Sequence, residues 1–82
     1  MFQRAPGIVW RLVDAHVLVL DPDGAACRLS GQAASVWLLL DTSGSADDLA
    51  GRFADLTEMT LPIELIMKAL DALIERSLVV PA

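Results

Sequence analysis

Catalysis would have to be assembled from very few side chains, because the sequence holds a single histidine, His16, and a single cysteine, Cys27. His16 follows Asp14 by two residues, but no serine nucleophile, cysteine partner or glycine-rich phosphate loop can be built around it, and an unpartnered imidazole makes a poor base. It reads as a strand-edge residue. Cys27 alternates with Ala25 and Leu29 on the inward side of a short strand, where a thiol behaves as a small hydrophobe rather than a nucleophile. One cysteine forms no internal disulfide, and one histidine without a cysteine or second histidine nearby forms no zinc site. Asp21, Asp23 and Gly24 copy the start of a calcium loop but lack its remaining ligands, including the distant glutamate, so a turn explains them. Asp47 and Asp48 suit the first turn of a helix, where carboxylates favour the dipole. No enzyme, metal site or cofactor is expected.

These residues sit on elements that the pattern defines. Eighty-two residues suffice for one hydrophobic core, so the chain is expected to be a single domain over 1–82. A hydrophobic fraction of 55% against 21% charged residues argues for a folded chain. The longest stretch free of charge, proline and glycine runs only from Gln32 to Leu40, too short to span a bilayer. Arg4, Pro6, Gly7 and Arg11 interrupt the N-terminus, unlike a secretory signal, and the cytoplasm is the expected compartment. A formal charge of -5 opposes phosphate binding, and Arg4, Arg11, Arg28, Arg52, Lys68 and Arg76 never form a run. Neither nucleic acid nor membrane is an expected partner.

Ile8 to Val13 and His16 to Leu20 read as two strands of an antiparallel hairpin separated by Asp14 and Ala15. Asp21-Pro22-Asp23-Gly24 signals a turn, with proline presetting φ and Gly24 tolerating a positive one. Ala25 to Leu29 is then a short third strand, with Ala25, Cys27 and Leu29 on one face and Ala26 and Arg28 on the other. At Ser30, an N-cap candidate, the period changes: Ala33, Val36, Trp37 and Leu40 line one side of a helix ending near Asp41. Thr42-Ser43-Gly44 breaks it, and Ser45 caps a second helix whose expected buried stripe is Leu49, Phe53 and Leu56. After a loop over Thr57 to Leu61, Pro62 fits the first turn of a third helix reaching about Arg76. Its apolar arc of Ile63, Ile66, Met67, Leu70, Leu73 and Ile74 is wider than one neighbour requires, with Glu64 and Lys68 paired on the exposed side. Leu78 to Val80 is left as a short apolar tail. The sum is an α+β domain, winged-helix-like, with a three-stranded antiparallel sheet followed by three helices.

Such an arrangement suggests a binding surface. A third strand at the sheet edge would keep one row of N–H and C=O groups unpaired and could accept an added strand beside the third helix. The competing reading puts the whole arc of that helix in the core. A winged-helix DNA binder would need a basic recognition helix, whereas the second helix has Asp47, Asp48 and Asp55 against Arg52. A purely structural subunit is the third alternative.

Gly24 to Ser30 (GAACRLS), Ala33 to Trp37 (AASVW), Ser45 to Ala50 (SADDLA), and Ala69-Leu70 through Leu73 to Ser77-Leu78-Val79 resemble, in that order, the PqqD-like RiPP precursor peptide recognition elements. The likeness spans about residues 8 to 80, and the stretches Leu18 to Gly24 and Val36-Trp37 are most similar to the stand-alone leader-binding proteins of lasso peptide biosynthesis. This resemblance implies a non-catalytic protein that takes the leader of a ribosomal precursor as a strand on its third strand and presents it to a leader peptidase, a transglutaminase-like cysteine protease, with a cyclase as a further partner. Carried over by position, the docking edge is Ala25, Ala26, Cys27, Arg28 and Leu29, and the groove wall comes from Ile63, Met67, Leu70, Asp71 and Ile74. The sequence departs from the family pattern at Ser30, where asparagine is common, at Cys27, where an aromatic is frequent, and at Ser77, where glycine is usual. Recognition elements of the PQQ pathway, which serve a radical SAM enzyme, are the nearest rival reading, and the turns at Asp21 to Gly24 and Asp41 to Gly44 resemble them less.

Overall fold

The computed structural model describes residues 1–21 and 23–82. Five strands and three helices follow one another as β1 (Phe2–Arg4), β2 (Val9–Val13), β3 (His16–Leu20), β4 (Ala26–Leu29), α1 (Gly31–Leu39), α2 (Ala46–Thr57), α3 (Ile63–Glu75) and β5 (Val79–Pro81). The α+β class and the antiparallel sheet of β2, β3 and β4 ahead of three helices are as expected, and the likeness to a winged helix is loose. None of the described helices is long and apolar enough to cross a membrane.

Turn chemistry sets the three-stranded sheet. Asp14, at φ 55°, takes the left-handed conformation that a two-residue hairpin needs and that aspartate tolerates, placing Val13 opposite His16. In the next turn the Asp21 carboxylate accepts from the Ala25 N–H at 2.8 Å, and the Asp21 carbonyl accepts from the Gly24 N–H at 2.9 Å. Gly24 has φ 86°, where a Cβ would be strained. The role assigned to Pro22 lies outside the described residues. The third strand begins at Ala26, one residue later than expected.

Val17 and Val19 point into the core, where Trp37 of α1 is wholly buried together with Leu49, Ile66, Leu70, Leu73, Leu78 and Val79. Ser30 occupies the N-cap of α1 as expected, yet its hydroxyl makes no capping bond. Ser45 and Asp48 form a complete capping box on α2: the Ser45 hydroxyl accepts from the Asp48 N–H at 3.1 Å, and the Asp48 carboxylate accepts from the Ser45 N–H at 2.9 Å. Those bonds, the backbone one foremost, hold the Asp48 carboxyl below its ordinary range. Leu49 is buried, but Leu56, expected on the same stripe, is 77% exposed. It rides the rim of an open groove with Leu38 and Leu39 instead of meeting a third layer.

Two expectations for α3 also change. Pro62 precedes the helix as its N-cap instead of lying in the first turn. The core face of α3 is Ile66, Ala69, Leu70 and Leu73, while Met67 is exposed and Ile63 and Ile74 are half-buried, because α1 and α2 cover only part of the arc. The helix ends in a Schellman motif, with the Ser77 N–H donating to the Ile74 carbonyl at 2.9 Å and the Leu78 N–H to the Leu73 carbonyl at 3.0 Å. Ser77 therefore sits at φ 62°, the position where glycine is the easier residue.

The apolar tail is in fact a strand. β5 pairs antiparallel with β1, matching Phe2 with Pro81 and Arg4 with Val79, and Phe2 also exchanges both backbone bonds with Gly44, at 2.8 and 3.0 Å. This second sheet carries Arg4 to the end of α1, where its guanidinium donates to the Trp37 carbonyl at 3.1 and 2.8 Å and lies 4.6 Å from the Trp10 ring centre and 5.1 Å from that of Trp37. The two indoles meet edge to face with centroids 6.2 Å apart. Burial draws the Arg4 guanidinium below its ordinary range, opposed by the charge of Asp41.

Candidate functional site

Hydrogen bonds in an antiparallel sheet alternate, so the hairpin register decides which groups of β4 remain free. Val13 and His16 close a two-residue hairpin and exchange both their bonds, so His16, Leu18 and Leu20 bond toward β2. Val17 and Val19 therefore bond toward β4, where they face Leu29 and Cys27. The Asp21 N–H, next in the same series, donates to the Ala25 carbonyl at 3.0 Å. Ala25, Cys27 and Leu29 are thus committed to β3. Ala26 and Arg28 turn their N–H and C=O outward, and among the described residues no further strand follows β4 in the sheet.

The side chains follow the opposite logic. Leu29 is buried and Cys27 half-buried on the inner face, while Ala26 and Arg28 are exposed on the outer face beside Leu18 and Leu20. A strand added here would direct alternate side chains into the molecule and across this outer face.

Next to the edge, between β4, the start of α1 and the end of α3, lies a cleft of about 190 Å³ lined by Arg28, Leu29, Ser30, Ala33, Ala72, Leu73 and Arg76. Leu29 and Leu73 form a buried apolar floor, and the methyl groups of Ala33 and Ala72 leave the space above it open. Arg76 reaches back over β4, its Nη1 donating to Cys27 Sγ at 2.6 Å.

Of the ten positions assigned from sequence, the structure brings the five of Ala25 to Leu29 together along one edge. It places the five on α3 elsewhere. Leu70 belongs to the core and does not line the cleft. Ile63, Met67 and Ile74 lie roughly 140–180° around the helix from Ala72, and Asp71 about 100° from it. The α3 residues at the cleft are Ala72, Leu73 and Arg76. Ala72 and Arg76, four residues apart, share a helix face, but an alanine carries no periodic signal and an arginine at a helix end reads as solvated.

A larger groove of about 260 Å³ between α1 and α2 offers no comparable backbone row. There Arg52 already donates to the carbonyls of Leu39 at 2.9 Å, Thr42 at 3.0 Å and Ser43 at 2.8 Å.

No family model matches the chain, and no curated protein matches it in sequence. Among solved structures it matches one described as TbiB1 in complex with the TbiA(beta) leader peptide, at 16% identity and a TM-score of 0.75, over 98% of this chain and 96% of that one. At that identity the likeness concerns the fold, and it bears out the architecture that the resemblance to recognition elements implied: this chain and the leader-bound TbiB1 share one fold over nearly their whole lengths.

Proposed function

We propose that this chain is a non-catalytic recognition element that binds the leader segment of a ribosomally made precursor peptide as an added strand on β4. The observation that carries this reading is the outward row of main-chain groups at Ala26 and Arg28 beside an apolar-floored cleft. Main-chain bonding supplies affinity without regard to sequence, and side chains entering the cleft supply selectivity. The docking edge is Ala25 to Leu29, and the wall is Ala72, Leu73 and Arg76, in place of the α3 positions taken from the family pattern. The fold shared with a protein solved with a leader peptide supports the same reading. Presentation of the bound leader to a processing peptidase of a lasso peptide pathway completes the proposal, with the protein acting as an adaptor in the cytoplasm.

Titration with the leader of the precursor encoded beside this chain, followed by tryptophan fluorescence or by heat, gives a saturable one-to-one complex; a flat response refutes the reading. Ala26→Pro and Arg28→Pro each remove one outward donor while leaving the bonds to β3 intact, so each weakens binding by about tenfold with the fold retained. Unchanged affinity in both variants moves the binding site to another surface.

A further inference from the structure

Charge is not spread evenly over this acidic molecule. Arg4 and Arg52 are occupied by backbone carbonyls near the end of α1. Arg76 lines the cleft, Arg28 borders it from β4 with its side chain on the outer face of the sheet, and Lys68 lies one turn before Ala72 on α3. The acids of that helix, Glu64, Asp71 and Glu75, stand roughly 60–100° further round, away from Ala72. Of the cations on α3, Arg76 lies about 40° from Ala72 on the side away from these acids, while Lys68 lies within roughly 20–60° of them and is the i+4 neighbour of Glu64. Arg76 moreover lies over the strand against Cys27 Sγ, so its charge sits on the inner face that an added strand would meet.

Resting on the docking reading above, we infer that the cleft selects an acidic peptide: a strand bearing an aspartate or glutamate two residues from an apolar side chain, the apolar group entering between Ala33 and Ala72 and the carboxylate meeting Arg76. Residues two apart share a face of a strand, so both groups point inward together. A guanidinium is suited to such pairing because its planar fork matches a carboxylate and stays charged. Partly shielded by the cleft, the pair is screened less than one on open surface.

The test uses the whole protein and a random library of twelve-residue displayed peptides, selected in parallel against wild type and Arg76→Glu. Wild type should enrich peptides with an acid two positions from an aliphatic residue. Replacing that acid by lysine in a selected peptide should weaken binding to wild type about tenfold, and Arg76→Glu should restore it. Arg76→Gln, which removes charge without reversing it, should fall between the two. Selected peptides that show no acidic preference, or lysine variants bound equally by wild type and Arg76→Glu, overturn the inference while leaving strand addition standing. If neither protein enriches any peptide, the docking reading fails and the inference with it.

Discussion

β1 and β4 are both short strands, and they dispose of their unpaired backbone differently. β1 bonds to β5 on one side and, at Phe2, to Gly44 on the other, so that the protein's own chain takes one edge and part of the second, and it brings Arg4 onto the Trp37 carbonyl. Among the described residues β4 bonds to β3 alone, leaving Ala26 and Arg28 facing outward. Comparing them separates an edge that closes the fold from an edge that stays unpaired among the described residues. The open edge carries its own protection against self-pairing, since it spans four residues and bears an exposed arginine.

The sharpest test of that contrast lies within β4. Cys27→Pro removes a donor already bonded to β3 and should cost about 2–3 kcal/mol in urea unfolding, whereas Ala26→Pro should cost well under 1 kcal/mol. Equal losses would mean that the bonding parity of β4 is the reverse of that described. The two arginines come next. Arg4→Ala removes charged hydrogen bonds to the end of α1 and two cation–π contacts, a loss of about 2 kcal/mol, while Arg28→Ala should change stability by less than about 0.5 kcal/mol. A similar cost for both would erase the distinction between closing and open edges.

A smaller effect is expected where α3 hands the chain to β5. Ser77→Gly relieves the left-handed strain of the Schellman position and should raise stability by about 1 kcal/mol without altering peptide binding. Improved binding would tie the closed sheet to the open edge. The smallest effect concerns acid. The Asp48 carboxyl titrates lower in the folded protein than in the unfolded one, so its contribution is present above the unfolded value, near pH 4, and is lost as pH falls through the folded value. The stability gap between wild type and Asp48→Asn should therefore close on acidification below about pH 4, as followed by circular dichroism, and a gap that widens there contradicts the capping box.

The features legible before the structure are those with a local cause. The hairpin strand His16–Leu20, its two-residue turn, the Ser45 cap and the alternation of Ala26 with Cys27 each depend on neighbours a few residues away. The β1–β5 sheet was not legible, because Phe2-Gln3-Arg4 is too short to show a period and its partner lies at the far end of the chain. Leu56 and Met67 fit their helical stripes but lie where no neighbour covers them. Ala72 and Arg76 were not legible for a related reason: a small residue marks a cleft only when something faces it.

Sequence alone therefore determined the order and periodicity of the elements, the turns, and which groups of β4 alternate, since these follow from backbone sterics and local hydrogen bonding. The tertiary structure decided which strand ends the sheet, which flank of α3 faces it, and how the two termini pair. Those outcomes depend on how distant surfaces exclude water from one another, a quantity that no single segment of the chain contains.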